Sequence, residues 1–142
     1  MACPLFIPTS PLGELVAVAA PLGDLYGGHC AADRLAVIEP ATLRRYCNFG
    51  YARGCCPRAA QSDADAARFM VRAARGSVVD IAWAVERNHH PVAVGCMEIE
   101  TLGPVKGDDL LARQAHACAR SYIRQTQGGP EITGHIAVAA HP

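Results

Sequence analysis

Hydrophobic residues recur at every second position between residues 66 and 100, which is the spacing of half-buried β-strands. The alternation is clearest in the middle segment, where Val79, Ile81 and Trp83 share one face. Turn residues interrupt the pattern at Arg75-Gly76 and again at Asn88-His89-His90-Pro91. The pattern therefore predicts an antiparallel meander of three strands, Arg68–Arg72, Ser77–Arg87 and Val92–Ile99.

The periodicity changes after residue 107 and becomes that of a helix. Apolar residues at intervals of four, three and four form one stripe, made of Leu111, Ala115, Cys118 and Tyr122. Asp108 and Asp109 suit a helix N-terminus, and Gly128-Gly129-Pro130 suits its end. We therefore predict a helix over residues 108–127. Three arginines lie off the stripe, namely Arg113, Arg120 and Arg124.

Residues 1–62 are interrupted throughout by proline and glycine, which predicts an irregular, loop-rich segment with one short helix starting at Pro40. The tail 130–142 alternates weakly and predicts either a fourth strand or a segment that docks on a neighbouring subunit. The expected fold is a single α+β domain over residues 1–142. A cysteine-bearing N-terminal wrap would cover a small antiparallel sheet of three or four strands, and one C-terminal helix would back that sheet.

Composition supports a folded domain and narrows the classes of function. The chain has 142 residues, of which 51% are hydrophobic and 18% charged, and its formal net charge is zero. This composition excludes disorder as the main state and argues against a wholly basic nucleic-acid-binding domain, while it favours a homo-oligomer. The apolar run from Leu15 to Leu22 is too short to span a bilayer, and no basic residue precedes Arg34. We therefore expect no membrane contact and a cytoplasmic location.

Cysteine is the residue type with the clearest chemical implication. The chain has seven cysteines, an odd number, and a group of cysteines in the cytosol binds metal or acts in catalysis more often than it forms disulfides. Cys96 and Cys118 fall within the predicted strand and on the helix stripe, so we expect both to be small core residues. The other five lie in the loop-rich half, namely Cys3, Cys30, Cys47, Cys55 and Cys56.

Four of these cysteines predict a [4Fe–4S] cluster. Cys3 and Cys56 are each followed by proline, as is the last ligand of a ferredoxin-type cluster motif. No Cys-x2-Cys pair is present, which makes structural zinc the weaker alternative. Cys55 is an alternative ligand to Cys56, and His29 is an alternative ligand to Cys30. The predicted cluster ligands are Cys3, Cys30, Cys47 and Cys56.

These residues predict a small iron–sulfur protein for electron transfer, or one with a structural or sensing cluster. The alternative is a zinc-stabilised or metal-free module for binding or self-assembly. The basic stretch from Arg34 to Arg75 holds eight arginines and three carboxylates, so it could dock a redox partner protein or, as a weaker expectation, nucleic acid. No recognisable catalytic constellation is present. A Cys55 or Cys56 nucleophile would lack an evident activating base, and His89-His90 is expected in a solvated turn.

Overall fold

Two antiparallel sheets and a long C-terminal helix make up most of the regular structure, so the fold is α+β. The computed structural model describes residues 1–13, 20–51, 55, 62–105 and 108–127. In chain order the described elements are β1 (Phe6–Pro11), β2 (Tyr26–Cys30), α1 (Pro40–Thr42) with a π-helical continuation (Leu43–Cys47), β3 (Ala66–Arg75), β4 (Val78–Arg87), β5 (His90–Glu100) and α2 (Leu110–Gln127).

The predicted meander is confirmed as a sheet with strand order β3-β4-β5. Gly76 has φ of +60° at the first position of the two-residue turn between β3 and β4, a conformation that glycine adopts without strain. Asn88 and His89 both have positive φ in the turn between β4 and β5, which is therefore of type I′. Pro91 lies in β5, an edge strand, where its missing N–H costs little.

The N-terminal half, which was predicted to be irregular, contains more regular structure than expected. β1 and β2 form a second antiparallel sheet, with Phe6 directly opposite Cys30. Gly28 allows this sheet to pack closely, because a Cβ there would lie 2.1 Å from the Ile7 carbonyl oxygen and 2.7 Å from the Phe6 ring. Prolines and glycines thus occur inside a short pair of strands. Both are edge strands, because the sheet has only two, and the outer side of an edge strand tolerates the missing N–H of proline.

The predicted short helix begins at Pro40 and then changes type. After Thr42 the hydrogen bonds become those of a π-helix, and the Asn48 N–H donates to the Leu43 carbonyl at 3.0 Å. Leu43 and Cys47 are buried by this turn. The wider π-turn also points the Asn48 side chain inward, where it is 1% exposed.

Helix α2 packs against both sheets, so its buried surface differs from the predicted apolar stripe. The Asp109 side chain accepts a hydrogen bond from the Leu111 N–H at 3.0 Å and caps the N-terminus. Ala115 and Cys118 are buried as predicted, whereas Leu111 and Tyr122 are only partly buried. Gln114 and Ser121 are fully buried, because the N-terminal segment covers the side of the helix that a single sheet would leave in water.

The first residues of the chain complete the core. Ala2 pairs with Ala67 of β3 through two backbone hydrogen bonds of 2.7 and 2.8 Å. In the described part of the chain, no helix combines the length and the hydropathy that a membrane span requires. The predicted fourth strand lies in the tail 130–142, which is outside the described residues. The largest fully buried apolar side chains are Phe6, Leu22, Ile81 and Val79.

Candidate functional site

Two of the predicted cluster ligands meet at the N-terminus. The Cys3 N–H donates to the Cys47 carbonyl at 3.0 Å, and each cysteine is 5% exposed. The Cys3 carbonyl in turn accepts hydrogen bonds from the Phe6 N–H and from the Gln114 side chain. The fold therefore fixes these two distant cysteines side by side in the core.

Of the remaining cysteines of this half, the structure describes Cys30 and Cys55. Cys55 packs against the core that contains Cys3 and Cys47. Cys30 stands opposite the buried Phe6 in the strand pair, so its side chain points to the inner face of that sheet. Cys56 lies outside the described residues. Within the described ranges, no group of three or more His, Cys, Asp or Glu side chains is arranged to hold a metal ion.

The two cysteines outside this half have different environments. Cys118 is buried on α2, as predicted, and burial raises the pKa of its thiol to about 11. It is therefore an inert packing residue at neutral pH. The prediction for Cys96 is wrong, because Cys96 is exposed on β5, where its sulfur accepts a hydrogen bond from Arg72 at 3.1 Å. Both faces of the middle strand, β4, are apolar. The alternation therefore could not show which face of the sheet, and so of the neighbouring β5, is exposed to water.

In the described residues, no histidine forms a metal-binding group of three or more side chains with the cysteines. His29 is exposed, and because successive strand residues point to opposite faces, it lies on the face of β2 away from Cys30. His89 is exposed in its turn, as expected, but it also stacks on Tyr51, with ring centroids 4.4 Å apart. A 2.6 Å hydrogen bond joins His89 Nδ1 to the Tyr51 hydroxyl. Burial and the nearby Glu86 carboxylate raise the pKa of Tyr51, so the phenol stays protonated at neutral pH.

A groove lined by arginines lies on the other side of the helix. Arg113, Arg120 and Arg124 face it from α2, and it has a volume of about 350 Å³. Strand β1 and residues 103–105 form its walls. A second groove of about 300 Å³ shares Thr9 and Arg113 with the first and adds His29 and Arg34. We call the two together the arginine groove.

Hydrogen bonds hold one end of the arginine groove in place. The Tyr26 hydroxyl donates to the Ala117 carbonyl at 2.9 Å and lies 2.8 Å from the Ser121 hydroxyl. Arg124 donates to both hydroxyls at 3.1 Å and forms an ion pair with Asp24. Burial on its own would raise the pKa of Asp24, but hydrogen bonds from Ser121, Arg124 and other neighbours hold it below its usual value. Asp24 therefore stays ionised, and Arg124 is fixed at the rim.

In the sequence, the helix arginines stand out only as residues off the apolar stripe. Their spacing of seven and four residues places Arg113, Arg120 and Arg124 on one helix face, and this was the available signal. The basic stretch from Arg34 to Arg75, by contrast, does not form one free surface. Three of its arginines pair with carboxylates across the strands, as Arg68–Glu86, Arg72–Asp80 and Arg75–Glu98.

Comparisons of the chain with known protein families, with curated proteins and with solved structures find no match. The site is therefore interpreted from its own geometry.

Proposed function

We propose that the protein is a small metalloprotein whose N-terminal cysteines bind a [4Fe–4S] cluster, with zinc as the alternative metal. The proposed ligands are Cys3, Cys30, Cys47 and Cys56, with Cys55 as the alternative to Cys56. The observation that carries the proposal is the backbone hydrogen bond between Cys3 and Cys47, two buried cysteines from distant parts of the sequence.

Burial of the candidate ligands supports a cluster more than an exposed reactive thiol. Thiolates are the ligands that zinc and iron–sulfur clusters prefer, and a shell of buried groups shields a cluster from water. Cys55 packs on the same core as Cys3 and Cys47, which supports a ligand from this part of the chain. In the described residues Cys3, Cys30 and Cys47 are not arranged around one point, so the proposal requires Cys30 to move towards the other two as well as ligation by Cys56.

A bound [4Fe–4S] cluster would supply one-electron chemistry, and the protein residues would set its environment. Gln114 holds the Cys3 carbonyl at 2.7 Å, so it would keep that ligand in place. The exposed guanidinium groups of Arg44 and Arg45 follow Leu43 on the π-turn that carries Cys47. Their positive charge would offset the net negative charge of a cluster with four thiolates and would attract an acidic redox partner.

The test is the metal content of the full chain, purified without oxygen and reconstituted with iron and sulfide. We expect about four irons and four sulfides per chain and a broad absorbance near ~400 nm. Cys47→Ser should lose that absorbance. Cys118→Ser is the matched control, because Cys118 is equally buried but is not a proposed ligand, and it should keep the cluster.

The metal content distinguishes a cluster, a zinc site and a chain without metal. One zinc per chain without colour would replace the cluster by a structural zinc site, and Cys47→Ser should then lose the zinc. Equal metal loss in both cysteine variants would show that misfolding, not ligand removal, causes the loss. A wild-type chain that binds neither metal would refute the proposal. Cys55→Ser and Cys56→Ser, measured in the same way, would show which of the two is the ligand.

A second candidate function is self-assembly through the outer face of the three-stranded sheet. Met70 and Val94 are 62% and 69% exposed on this face, and Val92 beside them is also exposed. Ala82 and Ala84 of β4 lie between them in the pairing register. We call these five residues the sheet patch. Such a cluster of exposed apolar side chains is typical of an interface.

The proposed occupant of the sheet patch is a second copy of this chain. The patch is bordered by ion pairs of both signs, including Arg72–Asp80 and Arg75–Glu98, so its edge can match a copy of itself about a twofold axis. The formal net charge of zero adds no repulsion between copies.

Light scattering after size-exclusion chromatography tests the self-assembly. We expect a dimer of the wild-type chain that becomes a monomer when Val94→Lys places a charge in the sheet patch. Leu102→Lys is the control, because Leu102 is 87% exposed and is not part of the patch. A wild-type monomer at all concentrations, or a dimer that Val94→Lys leaves intact, would contradict this second function.

A further inference from the structure

The arginine groove has an excess of positive charge. Arg113, Arg120 and Arg124 line its first part, where no described carboxylate lies, and Asp108 lines the second part together with Arg34. Asp24 and Asp108 form ion pairs with Arg124 and Arg113. The exposed Arg120 makes no hydrogen bond or ion pair with another described residue, so its guanidinium group is available to a ligand.

The histidine that lines the groove is neutral and helps to hold one of its walls. His116 Nε2 lies 3.2 Å from the Gly103 carbonyl, to which it can donate. Burial lowers the pKa of His116, and the nearby Arg120 lowers it further, so the ring is neutral at pH 7. The His116–Gly103 contact also ties residues 103–105, one wall of the groove, to the helix.

Apolar residues line part of the groove. Pro8 and Pro11 of β1, with Pro104 and Val105, line it together with the arginines. Each proline ring fixes its own φ angle, which limits the movement of these parts of the wall. A volume of about 350 Å³ falls in the range of small-molecule sites. The groove thus combines guanidinium groups with an apolar surface that prolines stiffen.

We propose that the arginine groove binds a small phosphate monoester, whose phosphate lies on Arg120 and Arg124 and whose organic part rests on the prolines. A phosphate monoester carries a charge near −2 at neutral pH, and guanidinium groups bind phosphate oxygens through paired N–H donors. No described cysteine lines the groove, so the proposed phosphate site does not use the proposed cluster ligands.

NMR titration of the ¹⁵N-labelled full chain, at constant ionic strength in chloride, tests the proposal. The probes are inorganic phosphate and phenyl phosphate. We expect saturable shifts of the α2 amide signals and of those of Gly103 and Val105 with both probes. We expect tighter binding of phenyl phosphate because its ring contacts the prolines. Arg120→Gln should weaken binding about tenfold, as expected for loss of a charge-assisted hydrogen bond.

Arg75→Gln is the matched control for Arg120→Gln. It removes the same charge from an exposed arginine of β3 that pairs with Glu98 away from the groove, and it should leave the binding unchanged. Equal weakening by the two variants would show general charge screening and overturn the proposal. Absence of saturable binding up to millimolar phenyl phosphate would do the same.

A final arm separates a small ligand from the phosphates of a nucleic acid. A short single-stranded oligonucleotide is added to the chain saturated with phenyl phosphate. We expect phenyl phosphate to remain bound, because the concave groove admits one phosphate group and the chain has no net positive charge. Displacement by the oligonucleotide at lower concentration than phenyl phosphate would replace the proposed ligand by a nucleic-acid backbone.

Discussion

Replacing Gln114 by Met is expected to lower the free energy of unfolding by about 3 kcal/mol. Gln114 is fully buried, and its Nε2 donates to the carbonyls of Cys3 and Phe6, each at 2.7 Å. Methionine has a similar volume, so the change removes the two hydrogen bonds without leaving a large cavity. Two buried carbonyls then lose a donor, and the N-terminal segment loses its link to α2.

Urea unfolding followed by the fluorescence of Trp83, the chain's single tryptophan, would measure this loss. Gln125→Met is the control on the same helix. Gln125 also donates to a backbone carbonyl, that of Gly23, at 2.9 Å, but it is exposed. Its replacement should cost less than about 1 kcal/mol. Equal losses from the two variants would refute the idea that the Gln114 contacts hold the N-terminal segment.

Asn48→Asp should lower the free energy of unfolding by about 4 kcal/mol, the largest single effect that we predict. Asn48 joins three backbone groups in the core. Its Oδ1 accepts from the Tyr26 N–H at 2.9 Å, and its Nδ2 donates to the carbonyls of Tyr26 and Leu43 at 2.9 and 3.1 Å. Aspartate has the same shape but no N–H donor, so a buried carboxylate oxygen would face two carbonyl oxygens.

Asn88→Asp is the matched change at the other asparagine of the chain. Asn88 is exposed in the turn before β5 with φ of +51°, a conformation that aspartate also tolerates. We expect its cost to stay under about 1 kcal/mol. Urea unfolding of both variants gives the comparison. A cost of Asn48→Asp no larger than that of Asn88→Asp would mean that the Asn48 hydrogen bonds do not support the core.

Periodicity predicted the elements whose neighbours lie close in the sequence. The meander and α2 have clear repeats of two and of 3.6 residues, and the turns at Gly76 and Asn88 mark the strand ends. β1 and β2 escaped prediction because their pairing joins Phe6 to Cys30 and because prolines and glycines weaken the alternation. The helix stripe was only partly correct, since burial of Gln114 and Ser121 depends on a segment from the other end of the chain.

The candidate sites, too, were only partly predictable from the sequence. Residue type alone singled out Cys3 and Cys47, but only the fold shows that a hydrogen bond connects their backbones. The sequence carried the spacing of Arg113, Arg120 and Arg124, but it could not show that β1 and residues 103–105 wall in that helix face. Cys96 illustrates the opposite error, because both faces of β4 are apolar and only the packing of α2 decides which one is covered.

The contacts between the N-terminal segment and α2 also have a consequence for synthesis on the ribosome. Phe6 and Tyr26 find their partners Gln114 and Ser121 only after 108 and 95 further residues have been made. At ordinary elongation rates this delay is on the order of ten seconds. During that time Cys3 and Cys47 have no helix to cover them, so cellular metal donors and oxidants can reach these thiols more easily in the nascent chain than in the finished protein.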